Sequence, residues 1–365
     1  MAASGAPLVL LAAGGTGGHL FPAEALATVL EKRGIAVDLA TDHRAAHFKF
    51  PARAVHVIPS ATVRGRDPIS LVRTATLLSF GTAKAWAMLG RIRPKAVVGF
   101  GGYPTVPPLL AASWRDVATI LHEQNSVMGR ANRFLAPRVT AIATGFRALK
   151  NLNRHWLNKI TFTGNPLRPP VIAAATVPYA APTDGKLRVL VFGGSQGARV
   201  MAEVVPAAIG LLDARIGPHL SVVQQARAED MDAVRAAYSR VGVSAEVAPF
   251  FSDLPARMAA AQLIISRSGA STVAELSAIG RPAILVPLPH ALDQDQFENA
   301  GVLEAAGGAI RIEQTDFTPR RLATAITTLS GDPAQLAQMA QMAKSIGTID
   351  AAERLADLVI KVAAI

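Results

Sequence analysis

The chain contains no cysteine, which excludes disulfides and thiolate chemistry and is expected of a reducing compartment. It also lacks an uninterrupted apolar run of about 20 residues, so no segment is predicted to span a bilayer. The first 23 residues carry no charge, but they lack a basic start and are interrupted by glycines and Pro22. We therefore do not expect a signal peptide or an anchor. Low-complexity blocks are absent and half of the residues are hydrophobic, which excludes a disordered chain.

The charge of the chain is concentrated in one half. The length of 365 residues favours two domains, at about 100–200 residues each. Of the net charge of +11, residues 1–165 carry +13 (20 Lys and Arg, 7 Asp and Glu), and residues 166–365 carry −2 (17 and 19). A basic half predicts contact with a polyanion or an anionic membrane surface, although a solvated basic face would give the same count. No nucleic-acid motif supports a polynucleotide partner, so we favour the membrane.

Residues 69–90, within the basic half, can form an amphipathic helix, although Gly81 weakens it. Such a helix could bury its apolar side in lipid headgroups and direct its basic residues towards anionic lipid. An ordinary core helix with a basic outer face would have the same pattern, and both interpretations stay open. The candidate membrane residues are Leu71, Leu78, Trp86, Arg73 and Lys84.

Both halves alternate short apolar strands with amphipathic helices, a pattern that predicts parallel sheets covered on both faces. The first half opens with strand Leu8–Ala13, a glycine-rich turn and helix Ala23–Arg33, and the second with strand Leu187–Phe192, a glycine-rich turn and helix Ala198–Leu212. The further predicted strands are Ala36–Ala40, Val55–Ile58, Ala96–Phe100, Ala118–His122, Val139–Ala143, Ile160–Thr163, Leu220–Gln224, Ser244–Ala248, Leu263–Ser266 and Ala283–Pro287.

The proline- and alanine-rich stretch Gly164–Gly185 is typical of a linker. It predicts two doubly wound α/β domains, residues 1–164 and 165–349, with a cleft between them.

Three glycine-rich loops follow predicted strands: Gly14–His19, Gly99–Pro104 and Gly193–Arg199. Glycine lets backbone N–H groups approach an anion, and a following helix adds its positive dipole end, so the loops predict a phosphorylated ligand. Their spacing fits G-x-G-x-x-G poorly, which disfavours a nicotinamide-dependent oxidoreductase. Neither helix-starting loop continues as G-K-[ST], so nucleoside triphosphate hydrolysis is not supported.

Polar clusters follow three predicted strands, at His122–Asn125, Arg267–Glu275 and Asp293–Gln296. In the second cluster, the free N–H groups of a helix start suit a base or a phosphate, and Glu275 suits ribose hydroxyls. Alternatively, Ser271 caps that helix and Glu275 is its capping partner. The third cluster suits sugar hydroxyls, although such loops are often polar.

The motifs occur in one order over nearly the whole chain: GGTGGHLFP, GFGGYPTVPP, HEQN, TGNPLR, GGSQGAR, SRSGASTVAEL and DQDQFENA. The ordered set resembles glycosyltransferase family 28, specifically its members that act on lipid I in peptidoglycan synthesis. The resemblance implies a GT-B fold of two Rossmann-like domains, with a C-terminal helix, about residues 350–364, packed back on the N-terminal domain. It implies inverting transfer of N-acetylglucosamine from UDP to the C4 hydroxyl of the N-acetylmuramoyl sugar on undecaprenyl diphosphate.

Inverting transfer needs a base for the acceptor hydroxyl and stabilisation of the departing UDP. His19, which ends a glycine loop at a helix start, is our candidate base, and Glu123 is the second. No Asp-x-Asp stands in an evident metal-binding context, so we expect no metal and no cofactor, with helix N-termini, loop amides and Arg168 or Arg267 stabilising UDP. The donor-binding residues that the resemblance implies are Thr16, Gly17, Gly18, Asn125, Arg168, Ser195, Phe251, Ala270, Ser271, Thr272, Val273, Ala274, Glu275 and Gln296.

The resemblance also implies the partners: UDP-N-acetylglucosamine, lipid I, an anionic membrane surface and, by analogy, other cell-wall and division proteins. It places the protein peripherally on the cytoplasmic face of the bacterial inner membrane. Rival interpretations are a UDP-sugar epimerase, a glycolipid synthase acting on diacylglycerol, and a nucleotide-sugar-binding module without catalysis.

Overall fold

The computed structural model describes residues 5–14, 17–43, 49–60, 68–183, 186–194, 197–213 and 216–365, apart from the side chains of residues 68–71, 218 and 292. The chain forms two compact units, the first comprising Met1–Arg168 and Asp350–Ile365 and the second Pro169–Ile349. This division falls a few residues after the boundary expected at residue 164. Within the described residues, no helix combines the length and the apolarity that crossing a membrane requires.

The first unit is built on a sheet of seven parallel strands in the order β3-β2-β1-β4-β5-β6-β7. The two strands at the strand reversal, β1 and β4, are apolar throughout because helices cover both faces of the sheet. The strands are β1 (Leu8–Ala12), β2 (Ala36–Thr41), β3 (Ala54–Val57), β4 (Ala96–Gly99), β5 (Ala118–Glu123), β6 (Ala141–Thr144) and β7 (Ile160–Phe162). The helices before the linker are α1 (Gly17–Lys32), α2 (Pro68–Ile92), α3 (Val106–Ser113) and α4 (Arg130–Leu135).

The C-terminal helix, Ala351–Ala363, belongs to this first unit and packs on α1. Its buried side chains, among them Leu355 and Val359, join the core formed by α1 and one face of the sheet. Arg33 at the end of α1 pairs with Glu353 and, at 2.6 Å, with Asp357. The helix therefore supplies part of the core of a unit from which it is distant in sequence.

The second unit has six parallel strands in the order β10-β9-β8-β11-β12-β13. They are β8 (Leu187–Phe192), β9 (Leu220–Gln225), β10 (Ser244–Ala248), β11 (Leu263–Ser266), β12 (Ala283–Leu285) and β13 (Ala309–Arg311). The helices of this unit are α5 (Pro169–Ala174), α6 (Arg199–Ile209), α7 (Met231–Arg240), α8 (Leu254–Ala260), α9 (Ala270–Ile279), α10 (Asp295–Ala305), α11 (Pro319–Ser330) and α12 (Pro333–Ser345). The C-terminal helix of the first unit, Ala351–Ala363, is numbered α13. The prediction missed β13, a strand of three residues at the edge of the sheet.

In each sheet the strand order reverses beside the first strand of the unit. β1 lies between β2 and β4, and β8 lies between β9 and β11. In open parallel sheets, ligands bind outside the carboxyl ends of the strands at such a reversal. The glycine loops after β1 and β4 border the reversal of the first sheet, and the loop after β8 borders that of the second. The topology thus defines one candidate site in each unit.

One helix start differs from its prediction. α1 begins at Gly17 and not at Ala23, and it contains Pro22. The sequence pattern predicts that the glycines and this proline belong to the loop, because both residue types disfavour helix interiors. The correction places His19 in the first turn of α1, where the helix fixes its backbone.

Candidate active site

His19 lies at the carboxyl edge of the first sheet, beside the strand reversal. Its Nδ1 is 2.8 Å from the carbonyl oxygen of Phe100, the residue after β4. A carbonyl only accepts, so Nδ1 carries the proton and Nε2 keeps its lone pair. Nε2 lies 3.5 Å from the position that a Cβ of Gly102 would occupy. Burial lowers the pKa of His19, while the bond to Phe100 raises it, so the ring is neutral at neutral pH.

Two residues of the HEQN motif, Gln124 and His122, contact Phe100, whose carbonyl bonds His19. Gln124 donates from Nε2 to the same Phe100 carbonyl at 2.9 Å, which fixes the acceptor from a second direction. His122 is fully buried beside the Phe100 ring, with the ring centroids 5.5 Å apart, and its Nε2 donates to Gly164 at 3.1 Å. Burial lowers the pKa of His122 to about 4. This ring is therefore neutral and orients its neighbours.

Glu123 ends β5 and is buried, with both carboxylate oxygens engaged. Oε1 accepts from the backbone N–H of Asn125 at 2.9 Å and, more weakly, from its side-chain amide at 3.5 Å. Oε2 accepts from the N–H of Gly129 at 2.9 Å and from Nδ2 of Asn132 at 2.6 Å. Burial raises the pKa of Glu123, and these hydrogen bonds oppose the rise. The carboxylate is placed to order the loop that follows β5, and its role as a base stays a prediction.

Arg168, the residue at which the first segment of the first unit ends, lies over the ring of Phe21 with its guanidinium carbon 3.9 Å from the ring centroid. Glu24, one turn further along α1, is close enough for Arg168 to lower its pKa, although burial raises it more. Gly17 faces the same ring, and a Cβ there would lie 3.1 Å from it. Gly17 thus admits the aromatic ring, and Gly18 is exposed in the first turn of α1.

The second unit contains a cavity of about 470 Å³ at its strand reversal. The described residues of its lining include three arginines, Arg199, Arg227 and Arg267, and no acidic side chain. The other lining residues are Gly193, Gly194, Gly197, Ala198, Val200, Gly269, Thr272, Leu288, Pro289, Gln296 and Gln314. Both α6 and α9 begin here, and the structure shows no side-chain cap at Ala198 or Gly269 from any residue that it describes, so first-turn N–H groups and positive dipole ends are available. This cavity is suited to an anionic ligand such as a diphosphate.

Arg267 is built into the wall of this cavity. Its Nη1 donates to the carbonyls of Val286 at 3.0 Å and Pro287 at 2.9 Å, and its Nη2 donates to Gln314 at 2.5 Å. The side chain is buried, and its Nε has no partner within the described residues. Burial lowers the pKa of Arg267, but a guanidinium loses its proton only far above neutral pH, so the side chain remains a cation. It therefore contributes an unpaired positive charge to the cavity.

The loop between β12 and α10 forms another wall of the cavity. Gln296 accepts from the N–H of Leu288 at 3.0 Å through its side chain, and from Ser268 at 2.7 Å through its backbone. Asp293 and Gln294 have positive φ angles of 56° and 57°, an uncommon conformation for residues other than glycine. Strained conformations of this kind cluster at ligand sites. Burial and the charge of Asp293 raise the pKa of Asp295, opposed by its bond to the Gln296 N–H.

The other donor-binding candidates are placed as follows. Ser271, Thr272, Ala274 and Glu275 are half-exposed in α9, whereas the side chains of Ala270 and Val273 point into the core. Phe251 is buried, with the Arg257 guanidinium 4.3 Å from its ring centroid, and it is the neighbouring Phe250 that is exposed, by 70%. Thr16 and Ser195 lie outside the described residues. The structure leaves all of these assignments as predictions.

The candidate membrane segment is α2, which has a strip of solvent-exposed apolar side chains. Val72, Phe80 and Trp86 are exposed, Phe80 by 61%, and Arg73 and Lys84 are exposed beside them. The candidate Leu78 is instead half-buried against the core, because it lies on the inner side of the helix, and the side chain of Leu71 is outside the described residues. Trp114, after α3, is exposed by 64%, and the next residue, Arg115, lies 4.3 Å over the Trp86 ring. Sequence reasoning missed Val72, Phe80 and Trp114.

In the described ranges, no group of three or more His, Asp or Glu side chains is arranged to hold a metal ion. The expectation that the reaction needs no cofactor stays a prediction.

Two Rossmann-like units, each with a candidate site at its strand reversal, have the architecture of GT-B glycosyltransferases. The model of the glycosyltransferase family 28 N-terminal domain matches residues 9–144, and that of the family's C-terminal domain matches residues 188–355. The chain therefore belongs to glycosyltransferase family 28, as the sequence motifs predicted.

Curated relatives match over nearly the full length. The chain is 63% identical over 361 residues to a protein of Rhodopseudomonas palustris, and 57% identical over 360 residues to one of Nitrobacter hamburgensis. These alignments cover 98% of this chain and 99% and 97% of the relatives. Both carry the name UDP-N-acetylglucosamine–N-acetylmuramyl-(pentapeptide) pyrophosphoryl-undecaprenol N-acetylglucosamine transferase.

Solved structures confirm the fold. The crystal structure of Acinetobacter baumannii MurG matches with a TM-score of 0.79 at 28% identity, covering 97% of this chain and 99% of that one. A Neisseria meningitidis UDP-N-acetylglucosamine 2-epimerase, bound to its substrate, matches with a TM-score of 0.67 at 14% identity, covering 97% and 100% of the two chains. At such low identity the second match supports the GT-B fold alone.

Proposed function

We propose that this glycosyltransferase transfers N-acetylglucosamine from UDP-N-acetylglucosamine to the C4 hydroxyl of the N-acetylmuramoyl sugar of lipid I, producing lipid II. The observation that carries the proposal is the 57–63% identity, over the full chain, to relatives named for this reaction. The two candidate sites supply chemistry that suits it: a neutral histidine in the first unit and a cationic cavity in the second.

In the proposed reaction, the C4 hydroxyl oxygen of the acceptor attacks C1 of N-acetylglucosamine as the bond from C1 to the diphosphate oxygen breaks. Nε2 of His19 accepts the hydroxyl proton, since Nδ1 is already committed to the Phe100 carbonyl. The electron pair of the broken bond leaves with UDP. Attack from the face opposite the leaving group inverts the configuration at C1.

The cavity of the second unit is the proposed site of the nucleotide sugar. The free N–H groups at the starts of α6 and α9, together with the charge of Arg267, would stabilise the negative charge that develops on departing UDP. Gln296 would bind the transferred sugar, and Glu275 the ribose. These groups are held in place before the reaction, which is the condition for effective electrostatic stabilisation.

An assay of UDP release with purified protein, UDP-N-acetylglucosamine and a soluble lipid I analogue tests the proposal. We expect release that requires the acceptor. Release of UDP together with free N-acetylmannosamine, without acceptor, would assign an epimerase instead. Binding of UDP-N-acetylglucosamine with no turnover at all would leave only a nucleotide-sugar-binding module.

We also propose that the exposed strip of α2 docks the enzyme on anionic lipid at the cytoplasmic face of the inner membrane, where lipid I would be reached. The helix contains no Asp or Glu from residue 68 to residue 92, and its exposed aromatic residues lie beside Arg73 and Lys84. Replacing Phe80 and Trp86 together with Ser should weaken binding to anionic vesicles and spare turnover of a short-chain soluble acceptor.

The matched control is Leu211→Ser, which removes a similarly exposed apolar side chain from the second unit. Unchanged vesicle binding by the double variant would contradict the proposal, as would an equal loss in the control.

A further inference from the structure

The three arginines of the nucleotide-sugar cavity differ in how far their guanidinium groups are already engaged. Arg267 donates to two carbonyls and to Gln314. Arg199, at the start of α6, donates to Glu203 at 2.8 Å and points largely into solvent. Arg227, in the loop after β9, makes no hydrogen bond from its guanidinium to any described residue. Its nearest carboxylate oxygen, on Glu229, is 3.9 Å away, at the outer limit of an ion pair.

The stem of Arg227 lies close to Gly197, in the glycine-rich loop that follows β8. A Cβ at Gly197 would lie 3.0 Å from Cγ of Arg227 and 3.8 Å from its Nε. Gly197 has a φ of 68°, in the region that favours glycine. Glycine is therefore required at position 197 for two reasons: the positive φ of the backbone and the short distance to the side chain of Arg227. The contact holds the start of the side chain and leaves the planar N–H donors for a ligand.

From this geometry we infer that Arg227 binds the diphosphate of the nucleotide sugar and stabilises it as the leaving group. The inference rests on the proposed function. A guanidinium can donate two parallel hydrogen bonds to phosphate oxygens, and such charge-assisted bonds are about twice as strong as neutral ones. Because none of the lining residues that the structure describes is acidic, no carboxylate within the described lining neutralises the charge of Arg227.

No motif points to Arg227, since it lies in an ordinary polar stretch, QQARAED, which spans the end of β9 and the residues that follow it. Only the strand order, which places β9 next to β8, brings it to the glycine loop. The inference therefore adds a third cation to a site that the motifs outline with Arg199, Arg267 and the glycines.

The test compares the binding of UDP and of uridine to the full-length protein by calorimetry. Arg227→Gln keeps a polar side chain and removes the charge, so the affinity for UDP should fall about 10-fold or more. The affinity for uridine should not change, because uridine carries no phosphate. Arg227→Lys should restore part of the loss, and kcat should fall in Arg227→Gln because the same charge stabilises the leaving group.

Two further arginine variants serve as controls for the effect of Arg227→Gln on UDP affinity. Arg240→Gln removes an exposed arginine at the end of α7, outside the cavity lining, and should leave both affinities unchanged. Arg199→Gln should weaken UDP less than Arg227→Gln does, because Glu203 already engages that guanidinium.

If Arg227→Gln binds UDP with wild-type affinity, or loses affinity for UDP and for uridine equally, the inference about Arg227 is wrong. Neither result would contradict the proposed reaction. If the wild-type protein binds UDP but transfers no sugar, the proposed reaction is wrong, whereas the inferred binding of the diphosphate by Arg227 is not contradicted. A wild-type protein that binds no UDP would overturn both.

Discussion

Replacing His19 with Ala should abolish the proton acceptor of the proposed reaction. The His19–Phe100 hydrogen bond leaves Nε2 as the free nitrogen, and general bases contribute about 10²- to 10⁴-fold. We therefore expect kcat to fall by at least about 100-fold, equivalent to about 2.7 kcal/mol of activation free energy. The affinity for UDP should change little, since His19 does not line the nucleotide-sugar cavity. Steady-state kinetics with a soluble acceptor and calorimetry with UDP measure the two quantities.

The pH dependence of the wild-type enzyme provides a second readout of the same residue. A base works only when neutral, so activity should be lost as the pH falls through the pKa of His19. Because burial lowers that pKa, the acid limb of kcat/KM should lie below the ordinary value of 6.5. The control is His155→Ala, which removes an exposed histidine of the first unit and should change neither kcat nor the profile. Near-normal kcat in His19→Ala would refute the assignment.

Two further predictions concern buried polar groups. Glu123→Gln places an amide donor against the backbone N–H of either Asn125 or Gly129, so it should lower the free energy of unfolding by about 2 kcal/mol in urea denaturation. The acid limb of the pH profile should be kept, and loss of that limb would identify Glu123 as the base. Arg281 is fully buried and donates to five backbone carbonyls, two of them in the segment after α5. Arg281→Met leaves these carbonyls without their donor and should lower the free energy of unfolding by about 3 kcal/mol. A loss below about 1 kcal/mol would contradict a stabilising role for Arg281.

Much of the fold was predictable because both sheets are parallel and buried. The central strands are largely apolar runs that glycine or polar turns end, and strand β1, for example, is marked by the run LVLLA before the first glycine loop. Strand β13 has only three residues, too few to show a pattern of their own, and its pairing with β12 defines it. The start of α1 was mispredicted because local propensity disfavours glycine and proline, whereas packing of the helix on the sheet keeps them helical.

The candidate site was predictable where it is encoded in local motifs. The glycine loops, His19 and the start of α9 are contiguous signals, and the structure places them at the strand reversals. Arg227 depends on the order of the strands, which no local motif shows. The outward strip of α2 shows the same limit, since only packing against the core distinguishes the half-buried Leu78 from the exposed Phe80.

The central claim is that this enzyme joins N-acetylglucosamine to lipid I, and the structure of the product tests it most directly. Incubation of the full-length protein with UDP-N-acetylglucosamine and a lipid I analogue, followed by mass spectrometry and NMR of the lipid fraction, identifies what is made. The account predicts a lipid-linked disaccharide with a β-linkage to C4 of the N-acetylmuramoyl sugar and one UDP released for each disaccharide. An unmodified acceptor together with free N-acetylmannosamine, or an α-linked product, would contradict it.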